Sequence, residues 1–268
     1  MSAPIALTAS LPRPAVKAKA HKLYNLILPI SLSTGLVLLG YKKRGFGIGK
    51  YNGFGGKVEA GETLAGSAAR ELHEESGIVC SEEQLAHHAV LLLETVAEGK
   101  EAEMEMVKEK VLEIHVFVCT QWEGEVEETD EMRPQWFAPE DLPLDDMWEE
   151  TRIWMLTALG MYLSVPASAA AATANSSSCG AGPGAFNPPP PTTTMTTTHP
   201  DRKWFIHYVD FHGGVNAQTG EWDPWHGMGK SVWKWFDTPL VDWSREEVVA
   251  WVEGVRNGGE GKAEQVEA

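Results

Sequence analysis

The order of apolar and polar residues in the first part of the chain predicts a sheet and one well-bounded helix. Thr63–Ser76 carries apolar residues at helical spacing and is followed by Gly77, which suits a left-handed helix C-cap. Runs that are rich in Leu, Ile and Val predict strands. The predicted strands are Lys22–Ile30 and Ser33–Tyr41, which form a hairpin, and Leu85–Thr95 and Val111–Cys119.

The segments between these elements are polar or rich in glycine. Lys42–Val58 is expected to be a loop because of its many glycines. Glu98–Lys110 is dense in charge, which favours an exposed loop or helix. Pro139–Leu142 predicts a turn that leads into a helix around Trp148–Leu163.

The composition changes sharply after this helix. Pro166–Pro200 consists mostly of Ala, Ser, Gly, Pro and Thr, and it cannot bury enough apolar area to offset the entropy of ordering, so we expect disorder. Trp204–Phe211 then predicts a strand, and a last helix is expected near Ser244–Arg256. A strand beyond the disordered segment favours an insertion within one domain. The predicted parts are a flexible tail over 1–21, a domain over 22–165, the insertion over 166–200, a strand and helix over 201–256 that complete or extend the domain, and a flexible tail over 257–268.

The last part of the chain is rich in tryptophan. Such rings either line a base-stacking surface or pack within the core and sheet, and without a repeating spacing we favour packing. The tryptophans concerned are Trp222, Trp225, Trp233, Trp235, Trp243 and Trp251.

The charge distribution narrows the class of partner. The net charge is −16, yet no acidic residue precedes Glu59, whereas several Lys and Arg do. This basic segment fits either the phosphate-facing wall of a site or a weak organellar presequence over Met1–Lys22, whose single Arg and three prolines favour an ordinary tail. The acidic remainder disfavours a nucleic-acid polymer and is compatible with a small phosphorylated ligand handled through metal ions.

Two further features bear on cellular location. The chain holds no run of about 18 apolar residues, so no membrane span is expected. Three scattered cysteines, Cys80, Cys119 and Cys179, fit a reducing compartment better than a disulfide framework or a zinc site. We expect a monomer in the cytoplasm, with the nucleus and the mitochondrion as alternatives.

Three glutamates crowd the end of the first predicted helix. Glu71, Glu74 and Glu75 occupy positions i, i+3 and i+4 and therefore share one face. Glu71 and Glu75 repel each other at a cost of about 0.2–0.5 kcal/mol, and the helix dipole disfavours each anion by about 0.3–1 kcal/mol. Only Arg70 lies nearby in sequence to compensate. The pattern therefore indicates a bound cation rather than a solvated charged face, and carboxylate oxygens suit Mg²⁺ or Mn²⁺.

The same segment resembles the Nudix box, G-x5-E-x7-R-E-U-x-E-E-x-G-U, in which U is an aliphatic residue. The fixed positions are all in register, at Gly56, Glu62, Arg70, Glu71, Leu72, Glu74, Glu75, Gly77 and Ile78. The resemblance implies an α/β fold, the Nudix α/β/α sandwich with a mixed sheet and a loop–helix–loop catalytic motif. It also implies that Glu71, Glu74 and Glu75 hold metal ions. Arg70 would orient a carboxylate through a fork-like ion pair, and Glu74 or Glu75 would act as the general base.

The flanking sequences resemble those of the vertebrate MutT-homologue triphosphatases, which remove oxidised purine nucleotides. The similarity covers about Leu23–Gly160 and is carried by Leu39–Val58, His115–Cys119, Asp130–Phe137 and Leu142–Trp148. It implies magnesium-dependent hydrolysis of 8-oxo-dGTP and 2-hydroxy-dATP to the monophosphate and pyrophosphate.

The resemblance also implies roles for individual residues. Asn52 would hydrogen-bond the base, although a turn before Gly53 explains it equally well from the sequence alone. Trp148 and Phe46 would pack against the base, with core packing as the alternative for Trp148. Lys42 would reach the phosphates, and Glu131 would be an additional metal-binding or catalytic carboxylate. The other residues expected at the substrate are Asn25, Phe54, Gly55, Gly56, Lys57, Glu150 and Thr151, with Gly55 also placed at the metal.

One departure from the family pattern puts the preferred base in doubt. Two consecutive aspartates follow the tryptophan after one residue in the relatives, whereas Glu150 and Thr151 stand here. A threonine cannot share a proton with its neighbour, so the device by which two close carboxylates raise one pKa is expected to be lost. The preference between 8-oxo-guanine, 2-hydroxyadenine and unmodified purines stays open, and Glu98–Lys110 could reshape the rim.

Three alternatives stay open at this stage. The chain could hydrolyse another nucleoside diphosphate derivative, such as a nucleotide sugar or a dinucleotide. It could bind nucleotides without turnover, although all three metal-binding glutamates are present. The proline-rich insertion and the tryptophan-rich tail could serve a scaffolding role alongside catalysis.

Overall fold

The computed structural model describes residues 20–96, 110–163, 203–215, 220–237 and 245–256. The charged segment 98–109, the insertion 166–200, Trp243 and most of both predicted tails lie outside these residues. Within them, no helix is long and apolar enough to cross a bilayer.

A mixed sheet of eight strands forms the centre of the molecule. Its strands run in the order β10-β7-β4-β5-β1-β2-β3, and β6 also pairs with β2. β1 and β5 are parallel, as are β4 and β7, and the other pairs are antiparallel. The strands are β1 Ala20–Ser31, β2 Leu36–Lys42, β3 Tyr51–Asn52, β4 Leu85–Thr95, β5 Lys110–Cys119, β6 Met132–Phe137, β7 Trp204–Phe211 and β10 Met228–Phe236. A separate two-stranded ribbon joins β8 Gly214–Val215 to β9 Trp222–Asp223.

Helices cover both faces of this sheet. α1, Leu64–Ser76, packs Ala68 and Leu72 on β1 and β5, and α3, Arg245–Arg256, packs valines on β4 and β7 of the same face. α2, Thr151–Gly160, covers the opposite face through Trp154 and Met155. The α/β/α sandwich with a mixed sheet is thereby confirmed.

The ends of α1 follow from its capping residues. The Thr63 hydroxyl accepts a hydrogen bond from the Gly66 amide at 2.9 Å. Gly77 adopts φ 77° and donates its amide to the His73 carbonyl, which ends the helix in a left-handed cap. The predicted helix bounds are therefore confirmed to within one residue.

The other predicted elements differ from the structure mainly in their ends. The β1–β2 hairpin and strands β4, β5 and β7 are confirmed, and α3 begins one residue later than predicted. The helix expected around Trp148–Leu163 is shorter, because Trp148 to Glu150 form a turn in which the Thr151 amide donates to the Trp148 carbonyl. In this turn Trp148 and Glu150 line the cavity described below, whereas Glu149 contacts the amides of Gly227 and Met228.

The C-terminal strand adds an edge to the same sheet. β7 pairs in parallel with β4 from Ala89↔Phe205 to Thr95↔Phe211, and β10, which the sequence did not predict, pairs with β7. Trp233 and Trp235 stack on each other at 5.5 Å between ring centroids and contact Phe205. These two tryptophans therefore pack within the sheet, as expected. The predicted domain bounds themselves stay a prediction.

Candidate active site

One cavity of about 440 Å³ lies on the sheet face that α2 covers. Its volume falls within the range of roughly 300–1,000 Å³ that is typical of ligand pockets. Its apolar floor comes from alternate residues of three central strands, among them Leu26, Leu91, Leu93 and Ile114. Many predicted substrate residues line it, namely Asn25, Lys42, Phe46, Asn52, Gly55, Gly56, Glu131, Trp148, Glu150 and Thr151.

The carboxylates of α1 lie beside the glycine-rich loop at one end of this cavity. Glu75 is only 4% exposed, and its Oε2 accepts a hydrogen bond from the Gly55 amide at 2.8 Å. Gly55 has φ 149°, a conformation that a residue with a Cβ adopts only with strain. A Cβ on Gly56 would lie 2.5 Å from Oε1 of Glu71. The loop can approach both carboxylates because these two positions are glycine.

Lys42 supplies a cation that the local sequence did not reveal. Its Nζ donates to Oε1 of Glu75 at 2.9 Å and also forms an ion pair with Glu131. Burial lowers the pKa of Lys42, but the contacts with Glu131 and Glu75 outweigh it and leave the pKa raised. The Lys42 contact in turn holds the pKa of Glu131 below its ordinary value. The expectation that Arg70 alone compensates the helix acids is therefore wrong, because β2 brings Lys42 to them across the fold.

Arg70 forms a fork with the carboxylate of Glu62. Its Nε and Nη2 donate to Oε1 and Oε2 of Glu62 at 2.7 and 3.1 Å, and its Nη1 donates to Glu71 and Glu74 at 3.0 Å each. The hydrogen bond with Arg70 lowers the pKa of Glu62 to about 2. One guanidinium thus ties the loop before α1 to the acidic face of the helix.

The donor set suits a hard divalent cation. Burial raises the pKa of both Glu71 and Glu75, so keeping both ionised costs free energy that a nearby cation would offset. Among the described residues, no group of three Asp, Glu, His or Cys side chains is close enough together to hold a metal ion. In this arrangement the Glu71 carboxylate pairs with Arg70 and the Glu75 carboxylate pairs with Lys42. Glu131 lines the cavity, whereas Glu71 and Glu75 lie against its lining glycines Gly56 and Gly55. Carboxylate oxygens such as these are the ligands that Mg²⁺ prefers.

Aromatic side chains form the other end of the cavity. Phe46 stacks on Trp148 with ring centroids 5.0 Å apart, and Lys50 Nζ lies 5.1 Å from the centroid of Trp148. Phe46 is 61% exposed, which is unusual for a large apolar ring and places it at the mouth. Asn52 lines the cavity, and its Oδ1 accepts a hydrogen bond from the Gly53 amide at 3.0 Å. The residue therefore stabilises the turn before Gly53 and also faces the cavity.

Glu150 is a buried carboxyl in the wall of this aromatic end. Desolvation by burial, together with the charge of Glu149, raises the pKa of Glu150 to about 7. Thr151, which is 1% exposed, hydrogen-bonds with the same carboxyl. Thr151 supplies no second carboxylate, so the device of two close carboxylates is absent, but burial together with the charge of Glu149 still raises the pKa of Glu150. A carboxylic acid near this pKa can donate a hydrogen bond when protonated and only accept when ionised.

The structure gives four of the predicted residues contacts that the sequence did not indicate. Phe54 is fully buried between β1 and α1, so its ring packs in the core and does not line the cavity. Lys57 is exposed and does not line the cavity, although it forms a β-bridge with Tyr24, which does. The Asn25 amide donates to Ser67 and accepts from Gly56, so it supports the loop against α1. Glu74 has a 57% exposed side chain and shares Nη1 of Arg70 with Glu71, at 3.0 Å each.

Two tryptophans were not among the predicted site residues, although Trp225 was one of six considered for a base-stacking surface. Trp154 is 1% exposed at the cavity wall, and its indole N–H finds no acceptor among the described residues. Trp225 reaches the cavity from the connection between β9 and β10. The spacing of Trp154 on its helix signalled only a buried face, and nothing near Trp225 in sequence indicated which of the six C-terminal tryptophans would turn inward.

Gly56→Ala is expected to lower kcat about tenfold, because a Cβ would displace the Glu71 carboxylate and small misplacements at a reacting centre are costly. Gly254→Ala on α3, where a Cβ would meet nothing within 4 Å, is the matched control and should leave kcat unchanged. Nucleotide turnover and melting temperature are measured for both variants. Equal turnover in G56A and the unsubstituted protein would contradict the close approach of the loop to Glu71.

Comparison with known proteins agrees with this geometry. The profile of the NUDIX domain matches residues 27–157. The oxidized purine nucleoside triphosphate hydrolase of Danio rerio is 42% identical over 134 residues, which are 50% of this chain and 76% of the relative. The protein of the same name from Mus musculus is 40% identical over 134 residues, with the same shares. Among solved structures, the mutator MutT protein from Bacillus halodurans has a TM-score of 0.48 and 17% identity, covering 81% of this chain and 99% of its own. The chain belongs to the NUDIX family.

Proposed function

We propose that this protein hydrolyses oxidised purine nucleoside triphosphates, such as 8-oxo-dGTP and 2-hydroxy-dATP, to the monophosphate and pyrophosphate. The observation that carries the proposal is a single cavity with two chemically different ends. Lys42 and Glu131 line one part of it, beside Gly55 and Gly56, which lie against the carboxylates of Glu75 and Glu71, and a polyphosphate and its counter-ions would bind there. Phe46, Trp148 and Glu150 line another part, where a flat polar base would bind. The activity for which the two relatives are named supports the same substrate class.

The cofactor we propose is Mg²⁺, with Mn²⁺ as a substitute. Glu71, Glu75 and Glu131, together with the carbonyl of Gly55, are the groups that would hold it. When bound, the cation neutralises the polyphosphate charge and polarises the phosphorus centre. Glu74 stays a candidate ligand only if it leaves Arg70, with which it pairs here.

The chain's own residues divide the remaining work. Lys42 lies between two carboxylates at the cavity and is placed to contact the phosphates. A water attacks a phosphorus of the α–β anhydride in line and forms a new P–O bond, while the bridging α–β P–O bond breaks and the nucleoside monophosphate and pyrophosphate separate. Glu75 is the group we assign to accept the proton of that water, since burial raises its pKa toward that of an effective base. Arg70 keeps Glu71 in place through its own anchor on Glu62.

The proposal extends to partners and location. We infer a monomer that acts on small-molecule nucleotides and needs neither a nucleic-acid polymer nor a membrane. The cytoplasm is the proposed location, with the nucleus and the mitochondrion as alternatives.

A substrate panel tests the proposal directly. The purified protein with Mg²⁺ is expected to release pyrophosphate from 8-oxo-dGTP and 2-hydroxy-dATP with a kcat/KM at least about tenfold above that for dGTP and dATP, since one hydrogen bond distinguishes the bases. ADP-ribose and a diadenosine polyphosphate are included, with monophosphate release as the readout. Preference for either of these would reassign the pocket to another nucleoside diphosphate derivative. Hydrolysis of none of these compounds would favour a module that binds nucleotides without turnover.

A further inference from the structure

Trp225 reaches the cavity from beyond the segment that matches the family. The match ends at residue 157, whereas Trp225 lies in the connection between β9 and β10. Its ring meets Phe46 edge-on, with centroids 6.3 Å apart, and meets Phe211 edge-on at 5.9 Å. Since Phe46 also stacks on Trp148, the rings form one continuous aromatic wall that runs from the mouth of the cavity to β7.

Glu149 holds this connection against the segment that precedes α2. Its Oε2 accepts hydrogen bonds from the amides of Gly227 and Met228 at 3.0 and 3.3 Å and lies 3.6 Å from Nδ1 of His226. Glu149 is flanked in sequence by Trp148 and Glu150, which both line the cavity. The connection is therefore held by a residue whose two neighbours in sequence line the cavity.

A local turn also constrains the backbone at Trp225. The Trp225 amide donates to Oδ1 of Asp223 at 2.9 Å, and β9 pairs with β8 next to it. The orientation of the Phe46 ring depends on Trp225, because Phe46 is 61% exposed. Among the described residues, the aromatic rings that it contacts are Trp148 and Trp225. Edge-to-face pairs of this kind are favourable and orient both rings.

We propose that Trp225 is a specificity-determining residue that selects two-ring bases, and that Glu149 is its positioning residue. The inference rests on the proposed function, which supplies the nucleotide class. A purine covers more of an extended aromatic wall than a pyrimidine does, and the apolar area removed from water grows with that overlap. Loss of Trp225 exposes one side of Phe46 and shortens the aromatic wall. We therefore expect the affinity for purines to decrease and the hydrolysis of the phosphates to continue at an unchanged rate.

The test compares Trp225→Ala with Trp251→Ala. Trp251 lies on α3, which packs on the opposite face of the sheet, so it is a matched control in the same part of the chain. For Trp225→Ala, KM for 8-oxo-dGTP and dGTP is expected to rise about five- to tenfold with kcat within about twofold, which is the signature of lost uniform binding. The affinity of Trp225→Ala for dGMP, measured by calorimetry, should fall by the same factor, and its affinity for dCMP should not change. Trp251→Ala should match the unsubstituted protein in each measurement.

Conservative variants separate positioning from folding. Trp225→Phe is expected to recover most of the affinity for dGMP. Glu149→Ala is expected to raise KM as Trp225→Ala does, and Glu149→Gln, which keeps an oxygen to accept from Gly227 and Met228, should restore it. Unchanged KM and unchanged dGMP binding in folded Trp225→Ala would overturn the inference and leave the proposed function intact. Failure of the unsubstituted protein to hydrolyse any purine triphosphate would instead overturn the proposed function and the inference that rests on it.

Discussion

Glu75→Gln is expected to lower kcat by about 100- to 1,000-fold, because the variant loses the buried negative charge that both holds the cation and accepts a proton. The side chain keeps its length and one oxygen, so the hydrogen bond from the Gly55 amide can persist. Lys42 keeps its second partner, Glu131. The loss should therefore appear in turnover and in Mn²⁺ affinity, measured by calorimetry or electron paramagnetic resonance, and not in the melting temperature.

Glu246→Gln is the control for this substitution. Glu246 is an exposed glutamate in the first turn of α3, and α3 packs on the sheet face opposite the cavity. This control should retain full turnover and Mn²⁺ affinity. If Glu75→Gln also retained turnover within about twofold, the assignment of Glu75 to both roles would be wrong, and Glu74 would become the residue to test.

Much of the fold could be predicted from the sequence because its signals are local. Thr63 and Gly77 cap α1, and the apolar runs of β1, β2, β4, β5 and β7 are long enough to identify strands without knowledge of their neighbours. β10 escaped prediction because its alternation is interrupted by a bulge between Met228 and Ser231 and by polar residues at the edge of the sheet. Edge strands expose one side, so their sequences carry a weaker apolar pattern.

The site was predictable where one segment supplies the chemistry and less so where the fold brings segments together. Glu71 and Glu75 were identified from their spacing on one helix, whereas the pairing of Lys42 with Glu75 joins positions 33 residues apart. Phe54 was misassigned because its place between glycines gives no sign of which way the ring turns. The raised pKa of Glu150 depends on burial by α2 and the sheet, which no short motif reports.

We expect base selection to depend on pH, because Glu150 is a buried carboxyl in the lining of the cavity. The pKa of Glu150 is about 7, so the group is mainly protonated below that pH and can donate a hydrogen bond, and it is mainly ionised above it and can only accept. Oxidation changes the donors and acceptors on a purine, so 8-oxo-dGTP and 2-hydroxy-dATP should respond differently to this change. The ratio of their kcat/KM values is therefore expected to shift several-fold between about pH 6 and pH 8.

The same pKa affects the stability of the folded chain, and the sign can be worked out. The pKa in the folded state lies above the ordinary value of 4.5, so between 4.5 and about 7 the folded state retains a proton that the unfolded chain releases. Stability therefore falls as the pH rises through this window. Glu150→Gln, which is neutral at every pH, should lack this contribution, and denaturant unfolding at pH 5 and pH 8 measures the difference.

Glu150→Ala is expected to reduce kcat/KM for oxidised purine triphosphates by about 10- to 100-fold, because a buried polar edge of the base loses its partner, at about 1–3 kcal/mol. Glu150→Gln can both donate and accept, so it should keep most of the activity and lose the pH dependence of the substrate ratio. The ratio of kcat/KM for 8-oxo-dGTP and 2-hydroxy-dATP is measured from pH 6 to pH 8 for each protein. A ratio that changes with pH equally in Glu150→Gln and the unsubstituted protein would show that another group titrates, and Glu150 would then serve only to fill the wall between Trp148 and Thr151.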